Sequence, residues 1–215
     1  MTAASRILLT GFEPFGGDAT NPSWAAASAA ADLLRAVGHD ARAVQIPCVF
    51  ATSVPALQEA LADHRPEVVV CVGLAGGTGQ VRLERVAVNL QDARIPDNSG
   101  DQPVDRPVVE GGPAALFATL PIKRALAAVQ AADIPAQLSL SAGSFVCNHL
   151  MYAVLDAPGT ARAAGFVHIP WDLEHRADDS VPALPAGQLA EAVALVALES
   201  LDASPDADRP GGALH

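Results

Sequence analysis

A cysteine at the start of a predicted helix is the residue best suited to nucleophilic chemistry in this sequence. Cys147 follows a short apolar strand and Gly143, and it opens a helix whose apolar stripe contains Leu150 and Met151. Unpaired backbone N–H groups and the helix dipole favour an anion at such a position and lower the pKa of a thiol. Free cysteine is also frequent in protein cores. Two interpretations of Cys147 therefore stay open, a reactive thiolate and a buried structural side chain.

A thiol nucleophile needs a base, and His168 is the best placed of the histidines. It lies in an apolar strand pattern that ends at Pro170, and functional side chains cluster at strand ends in open sheets. A lone histidine in such a strand can equally be a hydrogen-bonded core residue. His149 is a poor partner for Cys147, because positions i and i+2 of a helix do not face each other. We expect His149 to pack or to form structural hydrogen bonds.

Glu84 is the third candidate, because its place in a strand pattern predicts burial. It shares the parity of Val86 and Val88 and is therefore expected to point toward the buried face. A buried carboxylate costs several kcal/mol unless it is paired. The partner of Glu84 is either a neighbouring arginine, Arg82 or Arg85, or an imidazole that the carboxylate orients and stabilises in its charged form.

The remaining motifs carry weaker signals. Cys71 lies inside a continuous apolar strand and Cys48 lacks a helix N-terminus, so both are interpreted as structural. The glycine-rich turn at 73–79 lacks the Lys-Ser/Thr ending of a phosphate-binding loop, so we expect no nucleotide. The histidine and cysteine spacings fit no zinc pattern.

The composition indicates a folded acidic protein. The chain has 215 residues, of which 50% are hydrophobic, and a formal net charge of -11. This charge argues against nucleic-acid binding, which needs clustered Lys and Arg. No apolar run approaches the ~18 residues of a membrane helix, and the first apolar run is too short for a signal-peptide core. The three cysteines, an odd and small number, favour a reducing compartment, so we expect a cytoplasmic protein.

Strands and helices alternate along the chain, which predicts an α/β sandwich around a mostly parallel sheet. The predicted strands cover 7–9, 41–48, 67–73, 81–90, 137–142 and 165–169. The predicted helices cover 22–38, 55–64, 121–132, 147–156 and 186–201, and a loop covers 92–113. Because no linker or repeat interrupts the pattern, we expect a single domain at 1–203 and a frayed tail at 204–215.

Several long motifs, in order along nearly the whole chain, together resemble one known family. They are TGFEPFGG at 10–17, NPSW at 21–24, ERVAVN at 84–89, DARIPDN at 92–98, TLPIK at 119–123, SAGSFVCN at 141–148 and GFVHIP at 165–170. The sequence resembles the pyroglutamyl peptidase I (pyrrolidone-carboxylate peptidase) family, cysteine peptidases that remove an N-terminal pyroglutamyl residue. The number and order of the motifs make this resemblance far more specific than any single motif.

The resemblance implies a catalytic triad of Cys147, His168 and Glu84 on a single-domain three-layer α/β/α sandwich with a mixed, mostly parallel sheet. It also implies hydrolysis of the amide bond after an N-terminal pyroglutamyl residue, without a metal or a cofactor. The expected partners are pyroglutamyl peptides and further copies of the chain, in a dimer or tetramer. The alternative is a protein of the same fold that binds pyroglutamyl peptides but turns them over weakly.

The resemblance further implies a substrate pocket. Its members are Phe12, Phe15, Phe145, the backbone of Val146, and Arg94, which matches the arginine near the reacting carbonyl. Three positions depart from the family's usual residues: Leu74 stands where glutamine is frequent, Thr78 where arginine is frequent, and Arg82 where serine or threonine is usual. We expect Leu74 to reach the pocket, and we expect the departures to affect affinity more than chemistry.

Overall fold

The structure is a computed structural model that describes residues 4–157, 159, 161–208 and 210–211. Its strands are β1 Arg6–Phe12, β2 Asp40–Ile46, β3 Val68–Leu74, β4 Val81–Glu84, β5 Val86–Val88, β6 Ala115–Phe117, β7 Ala136–Ser139, β8 Ala163–Ile169, β9 Trp171–Asp172 and β10 Ala183–Leu184. Its helices are α1 Pro22–Ala36, α2 Phe50–His64, α3 Ile122–Ala131, α4 Val146–Asp156 and α5 Ala186–Glu199. Within the described residues, none of these helices combines the length and the apolarity that crossing a lipid bilayer requires.

A mixed sheet of six strands, in the order β2-β1-β3-β8-β4-β7, forms the centre of the fold. Strands β2, β1, β3 and β8 are parallel, β4 pairs antiparallel with β8, and β7 pairs parallel with β4. The carboxyl ends of the first four strands therefore lie at the same edge as the start of β4. This arrangement confirms the predicted mixed, mostly parallel sheet.

Helices cover both faces of the sheet. Helices α1, α3 and α5 pack on one face over a core that includes Ile7 and Val70. Helices α2 and α4 pack on the other face over a core that includes Leu8 and Val69. Successive residues of β3 enter opposite cores, which explains why 67–73 is a continuous apolar run. The expected three-layer α/β/α sandwich is the observed fold.

The predicted strand at 81–90 is wrong as a single element, because the chain breaks at Arg85. The Arg85 amide donates to a carbonyl at the end of β7, and β5 pairs with β6, a strand that we did not predict. The alternation of side chains changes at this break, since Glu84 and Ala87 are buried whereas Val86 is only partly buried. Glu84 is therefore buried as expected, but not because it shares a parity with Val86.

The starts of α1 and α2 differ in how well the sequence predicted them. Helix α1 begins as expected, with the Asn21 side chain accepting the Ser23 amide at 3.1 Å. Helix α2 begins at Phe50, earlier than the predicted helix at 55–64. Its first amide donates to Asp97 in the long loop at 2.9 Å, and this cap lies 47 residues away in sequence.

The first residues after Ala203 contact the start of α3. The Asp206 carboxylate accepts the amides of Lys123 and Arg124 at 3.1 and 3.0 Å. The Arg124 side chain donates to the carbonyl of Ser204 at 2.8 Å. The limits of the domain and the fraying of the rest of the tail stay predictions, and residues 209 and 212–215 lie outside the described part of the chain.

Candidate active site

A buried carboxylate–imidazole pair lies between β4 and β8. The Nδ1 of His168 donates to Oε1 of Glu84 over 2.9 Å, and the two residues are 7% and 0% exposed. Glu84 is the register partner of Phe166, which precedes His168 by two residues on the same face. This hydrogen bond orients the imidazole and leaves its Nε2 free to accept a proton. Among the described residues, Glu84 therefore pairs with the expected imidazole and with neither of the two expected arginines.

Cys147 lies beside this pair, against the backbone of β3. A Cβ atom at Gly73 would lie 2.9 Å from the Sγ of Cys147 and 2.8 Å from the Cζ of Phe166, closer than real Cβ contacts. Gly73 is also the register partner of His168 across β3 and β8. The thiol and the imidazole therefore lie at neighbouring positions on one face of the sheet. The space that the thiol occupies exists because residue 73 has no side chain.

The N-terminal turn of α4 presents Cys147 to this face. The helix begins at Val146 after Phe145, and no described side chain caps it. Its first amides have no acceptor within the helix and are available to an anionic group. Asn148 anchors this turn to β5, because its side chain accepts the Val88 amide at 2.9 Å and donates to the Val88 carbonyl at 2.8 Å.

The surroundings of the thiol oppose its ionisation. Burial raises the pKa of Cys147, and electrostatic interactions with Cys48, Glu84 and Cys71 raise it further, while its own backbone N–H acts in the opposite direction. This shift is the reverse of the one expected from the helix N-terminus alone, because the loss of hydration outweighs the helix dipole. The thiol is therefore protonated at neutral pH until a base removes its proton.

The other two cysteines are more deeply buried. Cys48 and Cys71 are 3% and 0% exposed, whereas Cys147 is partly exposed. Burial raises the pKa of both Cys48 and Cys71 to about 12. These surroundings agree with the interpretation of both residues as structural.

Aromatic rings line the start of α4. The ring of Phe145 lies 6.1 Å from that of Phe15 and 5.3 Å from that of Phe50, which it meets edge-on. His149 packs edge-on against Phe50 at 5.5 Å, and its ring nitrogens have no hydrogen-bond partner among the described residues. Burial lowers the pKa of His149. His149 packs as expected, but the sequence analysis missed Phe50, because the predicted α2 started too late.

Two further aromatic rings lead to the imidazole of His168. Phe12, expected in the pocket, lies 6.4 Å from Phe166, and Phe166 lies 4.8 Å from the ring of His168. Phe166 was not among the residues expected at the site. A signal was present, because Phe166 precedes His168 by two residues in a strand and so shares its face.

The two remaining expected residues, Arg94 and Leu74, are accessible to solvent. The Asp92 amide donates to the Ser144 carbonyl at 3.0 Å, and the Ser144 hydroxyl donates to the Asp92 carbonyl at 2.6 Å. This pairing holds the segment that carries Arg94, an exposed residue, against the loop before α4. Leu74 ends β3 opposite Ile169 and is partly exposed.

A cysteine beside a buried imidazole–carboxylate pair, on an α/β sandwich, defines the protein as a thiol hydrolase. A family model described as Pyroglutamyl peptidase matches residues 5–202. The chain belongs to the pyroglutamyl peptidase family, which confirms the family predicted from the motifs. The pyrrolidone-carboxylate peptidase of Streptomyces coelicolor is 45% identical to it over 98% of this chain and 100% of the relative. That of Clavibacter michiganensis is 47% identical over 97% of this chain and 98% of the relative.

Solved structures of the family have the same fold. The pyroglutamyl peptidase I of Bacillus amyloliquefaciens matches with a TM-score of 0.89 and 39% identity, over 96% of this chain and 100% of that one. The pyrrolidone carboxyl peptidase of Thermococcus litoralis matches with a TM-score of 0.87 and 32% identity, over 96% and 99%. The predicted α/β architecture is confirmed.

Proposed function

We propose that the chain is a cysteine exopeptidase that hydrolyses the amide bond after an N-terminal pyroglutamyl residue of peptides. The observation that carries this proposal is the 2.9 Å hydrogen bond from His168 to Glu84 beside the thiol of Cys147. A nucleophile, a base and an orienting carboxylate favour turnover over the alternative, a weakly active protein that only binds such peptides. The names of the matching family and relatives support the pyroglutamyl substrate class.

In the acylation step, Nε2 of His168 takes the proton of Cys147 while Sγ attacks the carbonyl carbon of the pyroglutamyl residue. The carbonyl π electrons move to oxygen, and Glu84 stabilises the imidazolium that forms. His168 then gives its proton to the leaving nitrogen and the C–N bond breaks. A thioester on Cys147 and the amine of the shortened peptide result. Because its surroundings raise the pKa of Cys147, the thiol depends on His168 to remove its proton.

In the deacylation step, His168 accepts a proton from water as the water oxygen attacks the thioester carbon. The C–S bond then breaks, and Cys147 recovers its proton from the imidazolium. The products are free pyroglutamate and the resting thiol, so protons and electron pairs balance without a cofactor.

Two groups are suited to stabilise the oxyanion of the intermediates. The backbone N–H of Cys147 lies in the uncapped first turn of α4. Arg94 supplies a cation from the segment held by the Asp92–Ser144 pairing. Donors placed where charge develops stabilise the transition state more than the ground state.

The pocket explains selectivity for a capped N-terminus. We assign Phe12, Phe15, Phe145, Val146 and Leu74 to it, and the Phe15–Phe145 contact at 6.1 Å supports an apolar aromatic wall. A pyroglutamyl ring has no charged α-amine, whereas an ordinary peptide would bring an ammonium into this wall without solvation. The site therefore rejects free N-termini by leaving their charge unpaired.

A chromogenic amide assay tests the proposal. The pyroglutamyl amide should release its amine, and the matched prolyl and alanyl amides should not. Binding of pyroglutamate without release of amine would instead identify the binding protein, and cleavage of all three amides would contradict the proposed selectivity.

We also propose that the protein works in the cytoplasm and self-associates into a dimer or tetramer, without nucleic-acid partners. Three free cysteines support a reducing compartment. Exposed Phe117 and Leu140, each 67% exposed, support burial against another copy. Light scattering at micromolar concentration should give a multiple of the chain mass, and the mass of one chain would contradict self-association.

A further inference from the structure

Arg82, a second charged side chain of β4, faces the same imidazole as Glu84. Arg82 is the register partner of His168 in the antiparallel β4–β8 pair. Directly opposed residues of such a pair have Cβ atoms about 4.5–5.5 Å apart and side chains on one face. Residues i and i+2 of a strand also share a face. Arg82 and Glu84 therefore both lie on the face that carries His168.

Arg82 lies on the opposite side of His168 from the nucleophile. Strand β8 lies between β3 and β4, and the β3 partner of His168 is Gly73, against which the Cys147 thiol packs. The order across this edge of the sheet is therefore Cys147, His168, Arg82. Because β4 is antiparallel to β8, Arg82 lies nearer the carboxyl edge of β8 than Glu84 does.

Among the described residues, no carboxylate forms an ion pair with Arg82. The Nε of Arg82 is buried and has no hydrogen-bond partner among the described residues, and Glu84 pairs with His168 instead. The residue as a whole is partly exposed, so a ligand can reach it. A guanidinium that has lost hydration and has no partner gains more from an incoming anion than a fully hydrated arginine does.

We propose that Arg82 determines specificity by binding a carboxylate on the first residue after the scissile amide. This inference rests on the proposed function, in which His168 protonates the leaving nitrogen. That nitrogen must therefore come within reach of Nε2 of His168. In this inference, the residue that carries the nitrogen lies past the imidazole, on the side away from Cys147. The carboxylate has two possible sources, the α-carboxylate of a pyroglutamyl dipeptide and the side chain of an acidic residue at that position.

The proposed contact between Arg82 and the substrate carboxylate is present both before and after the chemical step. A carboxylate on the leaving peptide keeps its charge throughout the reaction, so it is bound about equally in the ground and transition states. Such binding lowers KM and raises kcat/KM without raising kcat. The preference is also electrostatic, so added salt should weaken it.

Two pairs of substrates, measured near neutral pH, separate the two sources. Pyroglutamyl-alanine against pyroglutamyl-alanine amide tests the α-carboxylate. Pyroglutamyl-glutamic acid α-amide, whose side-chain carboxylate is free, against pyroglutamyl-glutamine amide tests the side chain. For at least one pair at low salt, the wild-type protein should have a kcat/KM about fivefold higher for the charged substrate than for the neutral one, because KM is lower. In molar salt, this charged-to-neutral ratio of kcat/KM should approach unity.

Variants assign that preference to Arg82. Arg82→Gln should bring the charged-to-neutral ratio to about unity, and Arg82→Lys should keep part of it because the charge remains. Arg42→Gln is the matched control. It removes the same charge from β2, three strands from β8, where Arg42 pairs with exposed Asp63 at 2.6 Å. This control should keep the wild-type ratio.

Equal kcat/KM values within both substrate pairs for the wild-type protein would overturn the inference, and this comparison needs no variant to fold. A ratio that persists in folded Arg82→Gln would overturn it as well. Failure of the proposed function is distinguishable, because none of the four pyroglutamyl substrates would then be cleaved.

Discussion

The Sγ of Cys147 packs so closely on Gly73 that a Cβ atom at residue 73 would lie 2.9 Å from it. We predict that Gly73→Ala displaces the thiol and lowers kcat/KM by about 10²-fold, because small misplacements of reacting groups have large kinetic effects. The same clash with Phe166 should destabilise the fold by about 1–3 kcal/mol. Kinetics and a melting curve measure both effects.

Gly77→Ala is the control for this substitution. Gly77 is exposed, and no described atom lies within 4 Å of a Cβ at its position. It should keep wild-type kinetics. Wild-type activity in Gly73→Ala would show that catalysis does not depend on the close packing of the Cys147 thiol against residue 73.

We predict that Glu84→Gln lowers kcat by about 10²–10⁴-fold while the fold survives. The amide carries no charge to stabilise the imidazolium, and its NH₂ group can favour the wrong imidazole tautomer at the 2.9 Å contact with Nδ1. Steady-state kinetics and circular dichroism provide the test. Normal turnover in a folded variant would assign Glu84 a purely structural role.

We predict that brief treatment with iodoacetamide labels Cys147 first and that activity falls in step. Cys48 and Cys71 are almost fully buried, whereas Cys147 is partly exposed, so the reagent reaches Cys147 more easily. Because burial raises the pKa of Cys147, its thiolate fraction at neutral pH is small, and the labelling rate should rise about tenfold per pH unit between about pH 7 and 9.

Peptide mapping by mass spectrometry identifies the labelled residue in this experiment. Label mainly on Cys48 with activity lost would overturn the assignment of the nucleophile. A labelling rate independent of pH over that range would indicate a preformed thiolate, contrary to the raised pKa of Cys147.

We predict that Leu74→Gln lowers KM by roughly tenfold or less and leaves kcat nearly unchanged. Leu74 ends β3 and is partly exposed, but strand parity places it on the face opposite to Gly73 and Cys147. The prediction therefore requires the side chain to turn back toward the site after this last strand residue. A glutamine there can hydrogen-bond the lactam, which is worth about 0.5–1.5 kcal/mol in both ground and transition states. A lower melting temperature with unchanged KM would show that Leu74 packs in the core.

Features that depend on neighbouring residues in the sequence were predicted best. The Asn21 cap and the helix start at Cys147 depend on neighbouring residues, and both lie where we expected them. The cap of α2 by Asp97 was missed because its partners lie 47 residues apart in sequence. The break at Arg85 was missed for the same reason, since its amide bonds to the end of β7.

The chemistry of the site was only partly accessible from the sequence. Glu84 is buried as expected, although the parity with Val86 that predicted its burial breaks at Arg85. The choice of His168 as its partner needed the β4–β8 register. The sequence indicated the effect of the helix N-terminus on the Cys147 pKa, but the opposing effect of burial comes from tertiary packing and was not visible in it. Gly73 was noted only as part of a turn, since nothing local indicates that a thiol packs against it.

Replacement of Cys147 shows whether its thiol forms the covalent intermediate. We would measure amine release from a pyroglutamyl amide by Cys147→Ala beside the wild-type protein and Cys48→Ala, with circular dichroism on each. The account predicts that Cys147→Ala keeps its fold and loses turnover by at least about 10³-fold, since the thiol forms the covalent intermediate. Cys48→Ala should keep most of its activity. Turnover close to wild type in a folded Cys147→Ala variant would contradict the account.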